Sequence, residues 1–193
     1  MFTLGESRLS TLKLHLFGAP RAEIDGNPVV TDTRKAIALL AYLAVTRQPQ
    51  TRDALATLFW PELDQTHARA ALRRTLSALN AAAALPWLRV EREQVTLTVD
   101  GDFDCDVHRF ERCITGCLPD GAFAADRCRP LLEEAAQLYH GDFLEGFTLR
   151  DSAAFDDWQF FRAEGYRTML AKVLEALVQC AVQEHNWPEA IAH

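Results

Sequence analysis

Three arginines in an alanine- and leucine-rich segment are the side chains best suited to binding chemistry. Arg69, Arg73 and Arg74 lie between residues 66 and 80, and no Asp or Glu occurs between Asp64 and Glu91. These guanidinium groups therefore have no carboxylate partner along their own segment. A free guanidinium can bind a phosphate or two acceptors of a guanine base. The pattern indicates a surface for an external anion, and the alternative is an ordinary solvated helix face.

The spacing of apolar residues predicts that this segment is an amphipathic helix beginning at Thr66. At 100° per residue, its apolar side chains fall on one side and its polar side chains on the other. The core side consists of Ala68, Leu72, Leu76, Leu79 and Ala83. The outer side consists of Thr66, Arg69, Ala70, Arg73, Arg74, Ser77 and Asn80.

Two helices and a hairpin are predicted around this segment. Residues 34–45 are rich in Ala and Leu, and a second helix begins at Thr51 and stops at Trp60 and Pro61. Residues 88–99 alternate apolar and polar side chains on both sides of a polar turn near 92–94, which predicts a β-hairpin. Three helices followed by a hairpin are typical of a winged helix-turn-helix, whose third helix enters the major groove of DNA.

The rest of the chain predicts a small sheet at the start and helices at the end. Residues 12–17 and 22–24 alternate in polarity around a Gly-Ala-Pro turn, which favours antiparallel strands. Residues 107–117, 124–139, 155–184 and a start at Trp187 are helical in pattern and favour a tetratricopeptide-like domain. The predicted fold class is mainly α with small antiparallel sheets. Because the last helix has so few residues, we expect the chain to be part of a longer protein.

Composition and charge divide the chain into two halves. Of its 193 residues, 49% are hydrophobic and 24% are charged, as in a soluble globular protein. Residues 1–103 hold 12 basic against 11 acidic side chains, and residues 104–193 hold 8 against 16. We therefore predict domains at 1–103 and 104–193. Neither a run of about 18 apolar residues nor a signal peptide occurs, so we expect no membrane partner and a cytoplasmic location.

Two metal hypotheses are weak. Asp100, Asp102, Asp104 and Glu111 have the spacing of a calcium loop, but Cys105 stands where the turn needs glycine. Two of the five cysteines, at 113 and 117, are one helical turn apart, but no second pair exists to complete a zinc site. We expect buried thiols, no metal and no cofactor.

Two further classes of function are an enzyme and an adaptor. The sequence contains no phosphate-cradling glycine loop, nucleophile elbow or zinc-protease helix, and its six histidines have no paired spacing. We therefore expect no enzymatic activity. As an adaptor, the protein would bind a protein or peptide with its helical domain and make protein contacts with its winged helix.

Five segments together resemble the SARP family, the Streptomyces antibiotic regulatory proteins and their relatives. They are LKLHLFG at 12–18, RKAIALLAYLA at 34–44, RDALATLFW at 52–60, AALRRTLSAL at 70–79 and the hairpin. LYHGDFLEGF at 138–147 and FDDW at 155–158 resemble the bacterial transcriptional activation domain of that family. The resemblance implies an OmpR-type winged helix, a tetratricopeptide-like domain behind it, and a transcriptional activator that binds direct repeats in promoters as a homodimer and contacts RNA polymerase.

The resemblance also implies roles for particular residues. Base recognition falls on Arg69, Arg73, Arg74 and Ser77, with Thr66 and His67 at the helix entrance. The wing role falls on Arg92, with Arg89 as a second candidate, and a backbone phosphate contact falls on Arg52. The loop implied to contact the polymerase comprises Trp60, Pro61, Glu62, Leu63, Asp64 and Gln65.

Overall fold

A computed structural model describes residues 11–31, 33–83, 87–98, 103–117 and 125–183. Its strands are β1 (Leu12–His15), β2 (Arg21–Ile24), β3 (Asn27–Pro28), β4 (Gln50–Thr51), β5 (Leu88–Val90), β6 (Gln94–Leu97) and β7 (Phe103–Cys105). Its helices are α1 (Arg34–Thr46), α2 (Arg52–Phe59), α3 (Gln65–Ala83), α4 (Asp106–Cys117), α5 (Ala125–Leu138) and α6 (Ala153–Gln183). The predicted fold class, mainly α with small sheets, is confirmed. The predicted helix start at Trp187 lies outside the described residues.

The first sheet has the strand order β3-β2-β1-β7. The predicted antiparallel pair is present as β1 and β2, with Leu12 opposite Ile24. On its other edge β1 pairs in parallel with β7, where Leu12 lies opposite Phe103. No pattern in the sequence predicted this parallel pairing. Strand β7 spans the predicted domain boundary between residues 103 and 104, so the first sheet contains residues from both halves of the chain.

The second sheet contains the predicted hairpin and one unpredicted strand. Strands β5 and β6 pair with Leu88 opposite Leu97, and the Glu91 N–H closes their turn by donating to the Gln94 carbonyl at 2.8 Å. We call residues 91–93 the wing turn. Strand β4 pairs with β6 and places Gln50 opposite Val95. A two-residue strand is too short to show an alternating pattern, and β4 exists only because β6 lies beside it.

Helices α2 and α3 begin at side-chain caps. The Thr51 hydroxyl accepts a hydrogen bond from the Ala54 N–H at 3.1 Å, which confirms the predicted start of α2. Helix α3 begins at Gln65 and not at Thr66 as predicted. An Asp64 carboxylate oxygen accepts from the Thr66 and His67 N–H groups at 3.0 and 3.2 Å, so Asp64 caps this helix. An ionised carboxylate suits that place because it also faces the positive end of the helix dipole.

The loop at residues 139–152, which joins α5 to α6 and is here called the connecting loop, packs against the first half of the chain. The Gly18 N–H donates to the Asp142 carbonyl and the Leu144 N–H donates to the Leu16 carbonyl, both at 2.8 Å. Phe17 forms an isolated β-bridge with Phe143. A single cluster of buried apolar residues runs through both halves. The two halves therefore share a core.

Two polar residues of the second half are buried at this junction. The carboxylate of Asp106, which is 7% exposed, accepts from the N–H groups of Leu16, Phe17 and Val107 at 2.7–3.0 Å. Burial raises the pKa of this carboxyl despite those three donors. The Ser152 hydroxyl donates to the Leu58 carbonyl at 2.5 Å. These contacts attach the residues after β1, and α2, to the second half of the chain, which we call the helical half.

The helices of the second half lie close to their predicted bounds. Helix α5 packs against both α4 and α6, and the latter extends over 31 residues. The five cysteines are buried, as expected, and none of them forms a disulfide bond. Burial raises the pKa of Cys105 and of Cys117 to about 12. In the part of the chain that the structure describes, no helix is both long and apolar enough to cross a membrane.

Candidate nucleic-acid interface

The two sides of α3 differ as the sequence predicts. Its core side is formed by the buried residues Ala68, Ala71, Leu72, Thr75, Leu76 and Leu79. Its exposed polar residues after Gln65, which we call the outer face, are Thr66, His67, Arg69, Arg73, Arg74, Ser77 and Asn80. The side chain of Ala83, predicted to be core, lies outside the described residues. The outer face is available to a ligand because its residues are exposed.

Arg73 and Arg74 present their guanidinium groups to solvent in the middle of this face. Within the described ranges, neither side chain has an ion pair or a side-chain hydrogen bond. Ser77 is exposed one turn further along. An unpaired guanidinium can bind an incoming acceptor without first breaking a contact inside the protein. In the described part of the chain, Arg73 and Arg74 are therefore unpaired cations on the outer face, as expected.

Arg69 differs from the other two arginines. Its guanidinium binds both carboxylate oxygens of Asp53 in α2, through Nε to Oδ1 and through Nη2 to Oδ2 at 2.6 Å. It also lies 3.6 Å from the Glu93 carboxylate in the wing turn. As predicted, Arg69 has no carboxylate partner along α3, but the expectation that it is available for an external anion does not hold. That expectation considered only neighbours along α3, whereas both carboxylates come from other elements.

The Asp53 carboxylate is a junction between α2 and the start of α3. It accepts a hydrogen bond from the Gln65 side-chain amide as well as from Arg69. These two donors, with Arg69 the larger influence, hold the pKa of Asp53 below its usual value, and Asp53 in turn raises the pKa of Arg69. Nothing in the sequence except the position of Asp53 in the first turn of α2 pointed to this role.

The helix entrance holds a second exposed pair. His67 Nδ1 lies 2.5 Å from Asp64 Oδ2, and this contact is the main reason why the pKa of Asp64 is lowered. The side chains of both residues are exposed, as is Thr66. Asp64 therefore caps α3 and also orients the imidazole beside the helix start.

The wing turn lies beside the starts of α2 and α3. The Arg52 N–H donates to the Glu93 carbonyl at 2.9 Å, while Arg52 Nε is buried and has no hydrogen-bond partner among the described residues. Arg92 is 96% exposed, with Nε 3.7 Å from the Glu93 carboxylate. Arg89 is also exposed on β5. The structure thus places Arg52 and Arg92 beside Glu93, whose carboxylate lies 3.6 Å from Arg69 of α3.

The loop between α2 and α3 is partly occupied by internal contacts. Trp60 is half-buried, and the Lys35 ammonium lies 4.9 Å from the centre of its ring. Pro61, Glu62 and Leu63 are exposed, whereas Gln65, predicted to be in the loop, belongs to α3. The accessible part of the loop is therefore residues 61–64.

The metal hypotheses gain no support from the geometry. Across the described ranges, no group of three His, Cys, Asp or Glu side chains is placed to hold a metal ion. Asp100 and Asp102 of the calcium-like pattern lie outside those ranges. Asp106, which no sequence motif singled out as a functional residue, is buried and accepts hydrogen bonds from the N–H groups of Leu16 and Phe17, which directly follow β1. Its place as an acidic residue in the first turn of α4 was the only available signal.

Comparison with known proteins gives an informative match among the solved structures. No protein-family model and no curated protein matches this sequence. The solved structure of Mycobacterium tuberculosis EmbR in complex with a low affinity phosphopeptide matches with a TM-score of 0.68 and 24% sequence identity. The chain shares the fold of the matched part of EmbR. The match covers 90% of this chain and 47% of the EmbR chain, so this chain spans about half the length of EmbR.

Proposed function

We propose that this protein is a SARP-type transcriptional activator that binds DNA through its winged helix. The observation that carries the proposal is the outer face of α3, where Arg73 and Arg74 are exposed and unpaired among the described residues. In a winged helix, the third helix is the element that enters the major groove. Arginine forks bind the two acceptors of guanine there, and Ser77 offers a hydroxyl beside them.

Side chains around the helix supply sequence-independent contacts. Arg52, Arg89 and Arg92 lie at or near the wing turn, and we assign them to phosphate and wing contacts. Thr66 and His67 lie at the helix entrance and complete the surface. The protein has a net charge of −7, so DNA binding depends on these local cations rather than on a general attraction.

Activation is assigned to the rest of the molecule. We propose that the exposed residues 61–64 contact RNA polymerase and that the helical half supports a homodimer on direct repeats. The fold supports this arrangement because the helical half is fixed behind the winged helix by Asp106 and Ser152. Two winged helices on adjacent repeats would then present two such loops on the same side of the DNA.

The test is selection of binding sites from a random duplex library, followed by a salt series on the selected site. A sequence-specific activator enriches a spaced direct repeat and loses affinity steeply as salt rises. The spacing of the repeat gives the separation of the two winged helices. No enriched sequence at low salt, or a bound site without salt dependence, would contradict the proposal.

An adaptor is the second candidate, supported by an exposed aromatic pair on α6. Phe160 and Phe161 are 58% and 73% exposed and their rings contact each other. Exposed apolar pairs of this kind are typical of protein contacts. EmbR, whose fold this chain shares, was solved with a phosphopeptide. The adaptor hypothesis predicts no DNA sequence preference and a protein or peptide bound by the helical half.

A further inference from the structure

We infer that Arg69 is a positioning residue that holds the wing turn against the starts of α2 and α3, and that it does not read a base. This inference rests on the proposed DNA-binding function. The resemblance groups Arg69 with Arg73 and Arg74 as readers of DNA. The structure separates Arg69 from them by its contacts.

Three elements meet at the Arg69 guanidinium. Asp53 comes from α2, Glu93 from the wing turn and Arg69 from α3. The contact with Asp53 is bidentate, which fixes the plane of the guanidinium and holds the side chain on α2. Gln65, one turn earlier on α3, donates to the same carboxylate.

The backbone joins the same three elements. The Glu93 carbonyl accepts from the Arg52 N–H at 2.9 Å, and β4 pairs with β6 immediately beside it. Glu93 is therefore held by its backbone from α2 and by its side chain from α3. Arg92, the residue before it, is almost fully exposed and takes its position from this attachment.

The cost of DNA contact differs between the arginines. Arg69 would have to break its ion pairs with two carboxylates before it could bind a base. Arg73 and Arg74 have no such partners among the described residues. The carboxylates of Asp53 and Glu93 also repel nearby phosphates. On charge alone, removing either carboxylate strengthens DNA binding. If instead these carboxylates hold the wing turn in place, removing the Asp53 carboxylate weakens DNA binding.

The decisive variant is Asp53→Asn, because the two explanations predict opposite signs. We expect its affinity for the selected duplex to fall by about two- to five-fold, the range of exposed ion pairs. Glu91→Gln is the matched control: it removes one negative charge from the neighbouring wing turn, and the Glu91 side chain has no ion pair in the described part of the chain. We expect Glu91→Gln to bind equally or more tightly. Tighter binding by Asp53→Asn would overturn the inference.

Base preference provides a second test. Repeating the site selection with Arg69→Ala should return the wild-type preference at every base position in the major groove, with lower affinity. Arg73→Ala should lose preference at one position. Loss of preference at a single position in Arg69→Ala would show that Arg69 reads a base and would refute the positioning role.

Hydrogen exchange tests the positioning role without DNA. The Glu91 amide donates to the Gln94 carbonyl across the wing turn, and the Arg52 amide donates to the Glu93 carbonyl from α2. In Arg69→Ala we expect both amides to exchange about two- to five-fold faster, whereas Arg73→Ala leaves them unchanged. Unchanged exchange in Arg69→Ala would overturn the inference. If the wild type bound no duplex, the proposed function would fail, and this measurement alone would decide the role of Arg69.

Discussion

The outer face of α3 and the junction between the two halves of the chain use polar side chains in opposite ways. On the outer face, Arg73 and Arg74 are exposed, with no polar partner among the described residues. At the junction, Asp106 and Ser152 are buried and bound to backbone groups distant in sequence. A free exposed charge contributes little to stability and is available to a ligand. A buried polar group that satisfies several donors stabilises one arrangement of the halves.

This difference separates binding from stability. Substitutions at the junction should change the free energy of unfolding, and substitutions on the outer face should change DNA binding. Arg69 stands between these two cases because it is exposed yet paired with two carboxylates. Four substitutions, from the largest expected effect to the smallest, test whether the separation holds.

Asp106→Ala should give the largest effect. It leaves the N–H groups of Leu16, Phe17 and Val107 without their acceptor in a buried place, which we expect to lower the free energy of unfolding by about 3 kcal/mol or more. Urea denaturation followed by circular dichroism measures the change. Asp106→Asn keeps one acceptor oxygen and should lose less. A loss below about 1 kcal/mol in the alanine variant would show that the junction does not depend on this carboxylate.

Arg73→Ala should produce the complementary result. We expect it to weaken binding to the selected duplex by about 1–3 kcal/mol and to abolish discrimination at one base. Its free energy of unfolding should stay within about 0.5 kcal/mol of wild type, because the side chain is exposed. Lys172→Ala removes the same charge from an exposed position on α6 and serves as the control. Equal DNA affinity of Arg73→Ala and wild type would refute base recognition by this residue.

Ser152→Ala tests a smaller contact at the junction. The hydroxyl donates to the Leu58 carbonyl and accepts from the Phe155 N–H at the start of α6, so its loss removes both an interdomain hydrogen bond and a helix cap. We expect destabilisation by about 1 kcal/mol in urea denaturation. Ser77→Ala removes the same hydroxyl from the outer face and should leave stability unchanged. Similar losses of unfolding free energy in both variants would contradict the separation of binding from stability.

Asp142→Asn should give the smallest effect and one that depends on pH. Hydrogen bonds from Arg167, the larger influence, and from Tyr139 hold the pKa of Asp142 below its usual value of 3.8. A lowered carboxyl pKa adds stability above the unfolded value, and this contribution is lost as pH falls through the folded value. The thermal midpoint of the variant should therefore lie slightly below wild type at neutral pH and approach it below about pH 4. A difference that stays constant with pH would show that the ion pair has no such role.

Local patterns predicted most of the secondary structure and the orientation of α3. Periodicity at 3.6 residues identified its buried and exposed sides, because that property depends only on the residues of one helix. Alternation predicted the hairpin and the β1–β2 pair for the same reason. Strands β4 and β7 were not predicted, because their pairing with β6 and β1 is set by residues far away in the sequence.

The candidate site shows the same limit. The sequence by itself determined that α3 has a cationic side and that Arg73, Arg74 and Ser77 lie on it, since neighbours along a helix fix which way a side chain points. Only the tertiary structure decided that Arg69 is paired, because Asp53 and Glu93 approach it from two other elements. The tertiary structure likewise gave Asp106 its role, since its partners Leu16 and Phe17 are 90 and 89 residues away. Ion pairs and buried hydrogen bonds act through space, and the chain brings their members together only when it folds.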